Sequence, residues 1–517
     1  MRRTLGQLLA EAAANWPDRP ALALGELRLN YAELSAQVDQ AAAALSALGL
    51  ERGDRLALML PNCPQFPLGL FAAARLGAVA VPINPLLSAQ EVHFVLADSQ
   101  AKVLLTIGPL QELAQAVKPN LPALRHVVIA EQAALSAAGE PVTLPDVGPD
   151  DTAVLFYTSG TTGRPKAAML SHHNLVSDAE SCARALPLNS DDSFCCVLPF
   201  FHSFGATVCI VLPVLVGARM VLAARFAPRE TLRLVEAQRC TLLAGVPSMY
   251  GLMLSLKQLE AFDLSSLRIV VSGGAPLPVE VIHQFKARFG FELLEGYGPT
   301  EASPVVTVTP LTGLHKPGSV GPPLPGVEVR IVDDQGQELP VGEVGEIAVR
   351  GENVMQGYYH QPEATAAAIR DGWLHTGDLG RLDEDGYLYI VDRKKDMIIV
   401  GGMNVYPREV EDVLHQHPVV AEAAVIAVPC ALRGEAPVAC VTLREGQQAS
   451  ERELTEYCRQ RLAAFKVPRR VVLCRELPRS ATGKVLKREL RQAHAGLLSR
   501  RRAHRATVPA QQETEDG

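Results

Sequence analysis

None of the ten cysteines stands in C-x-x-C spacing. Neither a zinc knuckle nor a disulfide framework is therefore suggested, and reduced thiols in a cytoplasmic enzyme are the simplest reading. Positive charge is not in excess: a net charge of −7 gives no electrostatic ground for binding nucleic acid or an anionic membrane surface. The G-x-x-x-x-G-K-[ST] phosphate loop is missing, and so is the G-x-S-x-G elbow of serine hydrolases. Charge itself is missing from Ser193 to Ala218, a stretch long enough to span a bilayer. Pro199, His202 and Pro213 interrupt it, so a buried strand, a loop at Pro199–Ser203 and a buried helix are expected instead. The N-terminal segment begins like a signal peptide, but Glu11 breaks its apolar run, and an amphipathic helix of the mature protein is expected. No internal repeat is present.

What remains is a globular composition, 48% hydrophobic and 20% charged, in a chain of 517 residues, too long for one core. Arg55–Leu60, Ala78–Val81 and Lys102–Thr106 read as strands. Pro64–Leu76 and Ser88–Asp98 read as helices, the second opened by a Ser88/Glu91 capping box. Such alternation implies parallel sheets covered by helices. Around Leu311–Arg350 glycine and proline become frequent and short strands follow, among them Val327–Val332 and Glu346–Arg350; Asp385–Val391 is another. Past the charged run Asp392–Asp396 a second α/β pattern begins. It comprises a helix over Arg408–His415 started by Pro407, strands at Val419–Val428 and Pro437–Leu443, a helix over Glu451–Ala464 capped by Ser450 and Glu453, and a strand at Arg470–Cys474. The expected fold is thus α/β, with a large N-terminal domain of parallel sheets plus a small β-rich subdomain over 1–392. A hinge at 393–396, a smaller mobile α+β domain over 397–498 and a solvated tail over 499–517 complete it.

The richest functional signal is Tyr157–Ala167, Y-T-S-G-T-T-G-R-P-K-A, which follows the apolar run Ala153–Tyr157. Glycines let backbone N–H groups converge on an anion, hydroxyls add donors and the lysine adds charge, which together suit polyphosphate. Six further motifs follow in order: P-F-F-H-S-F-G at Pro199–Gly205, S-G-G-A-P at Ser272–Pro276, E-G-Y-G-P-T-E at Glu295–Glu301, T-G-D at Thr376–Asp378, D-R-K-K-D and its continuation over Asp392–Glu411, and P-R-S-A-T-G-K at Pro478–Lys484. From about Leu5 to Leu490 the chain resembles the adenylate-forming superfamily, which includes acyl-CoA synthetases, peptide-synthetase adenylation domains and luciferases.

That resemblance implies ATP, Mg²⁺ and coenzyme A as co-substrates and carries roles residue by residue. Thr158, Ser159, Gly160, Thr161, Thr162, Gly163 and Lys166 would cradle the β- and γ-phosphates, with Thr161 near the metal and Glu301 holding it. Gly273, Gly274 and Ala275 would lie under the adenine; Glu295, Gly296, Tyr297, Gly298 and Thr300 would flank the adenine and α-phosphate. Asp378 and Arg393 would meet the ribose hydroxyls, and Asn404 would make a further adenylate contact. His202 would stand near the acyl carboxylate. Lys484 would bridge carboxylate and α-phosphate, Lys395 would be the hinge about which the small domain turns, and Gly401 and Gly402 would face the pantetheine arm.

Phe204, Val208, Gly245, Met249 and Val305, all apolar or small, are expected to line the acyl pocket. With no basic residue among them and no aspartate near Phe200–Phe204, a hydrophobic monocarboxylate is expected, a medium- to long-chain fatty acid or else an aryl acid. Coenzyme A is the expected thiol, since no carrier domain with a D-S-x site accompanies the motifs; a separate acyl-carrier protein is the rival. An inactive acyl-adenylate sensor is the non-enzyme alternative, against which Glu301, Asp378, Arg393 and Lys484 together argue. Small molecules are the expected partners, with a homodimer the one assembly entertained and no transmembrane segment.

Overall fold

The computed structural model describes residues 2–131, 144–158, 165–257, 262–430, 433–479, 485–495 and 497–498. The chain divides into two compact units, one running to Ile390 and one from Val391 onward.

Among the described residues the first unit carries three sheets. One has eight strands in the order Thr307–Val308, Leu293–Tyr297, Ile269–Ser272, Leu242–Gly245, Ser193–Cys196, Arg219–Leu222, Pro20–Leu24, Leu27–Asn30; all inner pairings are parallel and both edges antiparallel. Its central strands Ser193–Cys196, Leu242–Gly245 and Ile269–Ser272 are buried along their whole length, as strands sandwiched between helices must be. A seven-stranded sheet runs from His126–Ile129 through Val103–Thr106, Arg55–Met59 and Val79–Pro82 to Thr152–Thr158 in parallel. It then turns antiparallel at Lys166–Ser171 and Gly357–Tyr358. The third sheet, built on Val327–Val332, Gly345–Gly351 and Trp373–Leu382, is the small β-rich part.

Local signals do what their chemistry dictates. Ser88 and Glu91 form the capping box of Ala89–Ser99, and Ser450 and Glu453 that of Glu451–Arg459. The uncharged run folds as a buried strand, Ser193–Cys196, followed by a continuous helical stretch. That stretch comprises Ser203–Ala206, a π-turn at Thr207–Val211 and Leu212–Val216. Among the described residues no helix is long and apolar enough to cross a membrane.

Two expected elements end elsewhere. The helix from Glu451 stops at Arg459 rather than Ala464. Its apolar spacing continues through Leu462, but Pro468 and the strand Arg470–Leu473 require the chain to turn first. The strand expected at Asp385–Val391 begins at Leu388, because the Asp383 carboxylate accepts the N–H groups of Asp385 and Tyr387 and makes a turn of what precedes it.

Both tryptophans lie in the first unit. Trp16 packs on Gly217, where a Cβ would come within 2.4 Å of its ring, and the guanidinium carbons of Arg330 and Arg350 stand 4.4 and 4.6 Å from the centroid of the Trp373 ring. The second unit has one mixed sheet, Met403–Val405, Ile398–Val400, Gly434–Leu443, Val420–Cys430 and Arg470–Leu473, covered by Pro407–His415, Glu451–Arg459 and Lys487–His494.

One buried histidine ties the N-terminal helix down. His172 Nδ1 accepts the N–H of Leu5 at 3.3 Å in a fully buried setting, and burial, partly opposed by Asp151, pushes its pKa down to about 4. The native imidazole is neutral, whereas the unfolded one takes up a proton below about pH 6.5. Its contribution is therefore complete above that pH and lost as pH falls toward 4, by about 3 kcal/mol in all. Denaturant unfolding across this window should show that slope, and His172→Asn should flatten it; an unchanged slope in the variant would remove His172 as its source.

Candidate active site

The candidate site residues of the first unit collect where the antiparallel hairpin of one sheet meets the carboxyl ends of the parallel strands of the other. Thr158 and Lys166 face each other at the mouth of the hairpin. Residues 159–164 between them, and with them Ser159, Gly160, Thr161, Thr162 and Gly163, lie outside the described residues. The Lys166 ammonium stands 5.1 Å from the centroid of the Tyr358 ring. Tyr358 in turn donates its hydroxyl to Glu301 Oε1 at 2.8 Å, and the Thr158 hydroxyl lies 3.5 Å from the same oxygen. Burial, and then the Glu301 carboxylate, push the Tyr358 hydroxyl well above its ordinary range, so it remains a donor.

Three turns complete the opening. The first follows the strand Ile269–Ser272: Gly274 sits at φ +77°, and a Cβ on Gly273 would come within 3.1 Å of the Phe204 ring. The Glu295 carboxylate is buried beneath, accepting the Leu277 N–H at 3.3 Å, and so holds this turn from behind. The second follows Leu293–Tyr297. There Gly298 passes so close to Pro304 that a Cβ would lie 1.7 Å from the carbonyl oxygen. Thr300 shares a hydrogen bond of 3.0 Å with Ser203. The third is the T-G-D turn in Trp373–Leu382: the Thr376 hydroxyl accepts the Asp378 N–H, and buried Glu346 accepts that of Gly377. The Tyr297 hydroxyl donates to Asp378 Oδ2 at 2.7 Å, joining the second turn to the third.

His202 caps the helical stretch, its Nδ1 accepting the Phe204 N–H at 3.2 Å. In the neutral ring the proton then belongs on Nε2. Below lies an apolar cavity walled by Phe204, Val208 and Val305 and bordered at its mouth by Gly273, Gly274, Gly296 and Tyr297; among the described residues no charged side chain lines it. Met249 lines a neighbouring cavity that shares His202, Phe204 and Gly274 with the first. Gly245 faces away from both, toward Tyr250, whose hydroxyl a Cβ would approach to 3.0 Å. Strand parity explains this, since Leu242 and Ala244 point into the cavity and residues 243 and 245 to the opposite side.

The Val305 wall is fastened from within. Asp178, on the helix His172–Ala185, accepts the Val305 N–H at 3.2 Å, and Asn353 donates to the carbonyls of Ala302 and Val305 at 3.0 and 2.9 Å. Burial pushes the Asp178 carboxyl well up. Sequence reasoning missed Asp178, Glu346, Asn353 and Tyr358. Only Tyr358 had a local cue, the G-Y-Y triplet after Gln356.

Within the second unit, Arg393–Asp396 is a turn closed by the Asp396 N–H to the Arg393 carbonyl, with Lys395 exposed on it. Gly401 and Gly402, at φ +59° and +85°, link Ile398–Val400 to Met403–Val405, on which Asn404 is exposed. Lys484 lies outside the described residues; close to it in sequence, the half-buried ion pair Lys487–Glu411 closes at 2.8 Å.

The donor set suits a hard cation bound mainly through a polyphosphate. Glu301 offers one carboxylate beside the Thr158 hydroxyl, and no group of three or more His, Cys, Asp or Glu side chains poised for a metal occurs among the described residues. Mg²⁺ on one carboxylate plus phosphates and water fits this; a dedicated protein cage does not.

Residues 9–359 match the family of AMP-binding enzymes and residues 409–484 the AMP-binding enzyme C-terminal domain. A long-chain-fatty-acid–CoA ligase of Bacillus subtilis (strain 168) is 38% identical over 526 residues, covering 94% of each chain. A feruloyl-CoA synthase of an Amycolatopsis species is 41% identical over 94% of this chain and 98% of its own. Among solved structures, ATP-bound MatB from Rhodopseudomonas palustris superposes with a TM-score of 0.90 at 34% identity, over 96% of this chain and all of that one.

Proposed function

The chain belongs to the AMP-binding enzymes, adenylate-forming acid–thiol ligases, and from that premise we propose that it converts a medium- to long-chain fatty acid to its acyl-CoA. The observation that carries this reading is the uncharged apolar cavity whose mouth is made by Gly273, Gly274, Gly296 and Tyr297, the residues of the motifs that resemble the adenylate site. A carboxylate oxygen attacks the α-phosphorus of ATP, the bond to the β-phosphate oxygen breaks, and pyrophosphate leaves. The thiol sulfur of coenzyme A then attacks the acyl carbon, its proton departs, and the bond to AMP breaks.

Each half-reaction gathers negative charge, so the protein's part is positioning and electrostatics. Lys166 and the loop 159–164 hold the β- and γ-phosphates. Mg²⁺, held by Glu301 with Thr161, would neutralise them. Asp378, fixed by Tyr297, takes the ribose hydroxyls together with Arg393; Thr300 and Asn404 contact the adenylate, and Gly273, Gly274 and Ala275 leave room for the adenine. His202 orients the acyl carboxylate, Lys484 bridges it to the α-phosphate, and the turn at Lys395 lets the small domain bring Gly401 and Gly402 to the thiol. Free cysteines throughout the described residues support a cytoplasmic setting.

The feruloyl-CoA synthase likeness keeps an aryl acid as the second reading. Pyrophosphate release with ATP, Mg²⁺ and a panel of acetate, octanoate, palmitate, cinnamate, ferulate and malonate, with and without coenzyme A, decides between them. Release with a fatty acid that rises with coenzyme A is the expected result. Release best with ferulate or cinnamate selects the aryl reading, release indifferent to coenzyme A a carrier-protein acceptor, and none with any acid overturns the ligase.

A further inference from the structure

We infer that three leucines, Leu186, Leu212 and Leu242, form a fixed floor that matches this enzyme to medium-chain acids of the octanoate–decanoate length. This rests on the proposed ligase reading, in which the reacting carboxyl group lies at the glycine mouth of the cavity.

Two independent rulers measure the depth. Along the sheet, Gly245 pairs with Ser272 and Leu242 with Ile269, so the level of Leu242 lies four residues below Gly273. At the rise of a parallel strand that is about 13 Å. Along the opposite wall, Phe204, Val208 and Leu212 recur every four residues on the helical stretch Ser203–Val216 and all three line the cavity. Eight residues of α-helix rise about 12 Å, and the π-turn at Thr207–Val211 shortens this somewhat. The rulers agree, and each ends on a leucine.

The third leucine comes from a separate element. Leu186, which also lines the cavity, ends the helix His172–Ala185, and the carbonyl of the next residue, Pro187, accepts from Arg268 at 2.9 Å. Arg268 immediately precedes the strand Ile269–Ser272, so Leu186 belongs to the deep end.

Behind the floor the interior turns polar. Buried Asp192 accepts from Arg268 Nε at 2.8 Å and from the Thr241 hydroxyl at 2.6 Å. An alkyl chain reaching past the leucines would have to displace this network and strand its charge, which low-dielectric surroundings make costly. A hexadecanoyl chain is longer than the rulers allow.

The test is kcat/KM of the full-length enzyme, with ATP, Mg²⁺ and coenzyme A, over the even-numbered acids from butyrate to palmitate together with ferulate. Each methylene that fits should raise kcat/KM about fourfold, up to octanoate or decanoate, with a fall beyond. Leu242→Ala should move the optimum to longer acids. Ala244→Leu, placed midway down the same wall, should move it to shorter ones and cut the decanoate-to-butyrate ratio at least about tenfold. The two opposite shifts guard against a variant that fails to fold. Palmitate used as well as octanoate by the wild-type enzyme overturns the floor while leaving the ligase intact, and ferulate used better than every fatty acid overturns the fatty-acid reading and the floor with it. An optimum unmoved in a folded variant overturns it too. No acid-dependent turnover at all overturns the ligase reading, and the floor with it.

Discussion

Lys484→Ala should cut acid-dependent pyrophosphate release by about two to three orders of magnitude while leaving thioester formation from presynthesised acyl-AMP essentially unchanged. The asymmetry follows from charge. Only the first half-reaction brings two anions, the carboxylate and the α-phosphate, into contact, and the ammonium of a lysine on the small domain would screen their repulsion. Attack of a thiol on an acyl-AMP has no such pair to reconcile. Lys395→Pro should give the mirror image. The turn Arg393–Asp396 is held by backbone hydrogen bonds from Asp396 and Met397 to the Arg393 carbonyl, and a proline at 395 narrows the dihedrals of its neighbour Lys394 as well as its own. Adenylation should survive it and thiol transfer should not. Single-turnover assays of the two steps separate these outcomes, and equal loss of both steps in Lys484→Ala would remove the lysine from its assigned role.

A second large effect is expected at Gly298→Ala. The added Cβ would lie 1.7 Å from the Pro304 carbonyl oxygen and 3.0 Å from the Val306 nitrogen. Both are backbone atoms, so no rotamer change relieves the clash, and the loop 298–306 must move as a piece. That loop carries Thr300, Glu301 and Val305, the last pinned to Asp178 and Asn353. Unfolding free energy should fall by about 3 kcal/mol, and pyrophosphate release by more than about two orders of magnitude. Gly401→Ala is the contrast: φ is +59° but nothing lies within 4 Å, so its cost is limited to the left-handed backbone, about 1 kcal/mol. Wild-type stability and turnover in Gly298→Ala would show that the loop tolerates the displacement.

The motifs were visible in sequence because each packs its chemistry into a few adjacent residues. Val327–Val332 was legible as a strand, and the capping boxes at Ser88 and Ser450 were legible for the same reason. What stayed hidden is held together across the chain. Asp178 meets Val305 and Asn353 more than a hundred residues away, and Glu346 reaches Gly377 across a sheet. An isolated aspartate or glutamate gives no sign of such partners. The facing of Gly245 was equally illegible, since one residue of strand register separates the cavity side from the Tyr250 side. Ala244, one position earlier, is the wall residue.

The placement of the two tryptophans decides what light can report. Trp16 against Gly217 and Trp373 beside its two arginines both belong to the first unit, and the chain has no others. Indole emission is therefore a one-domain probe. Melting of the small unit alone would pass unseen at tryptophan wavelengths while its helices vanished from the far-ultraviolet dichroism. Disagreement between the two signals would thus time the small unit's unfolding separately, without any label.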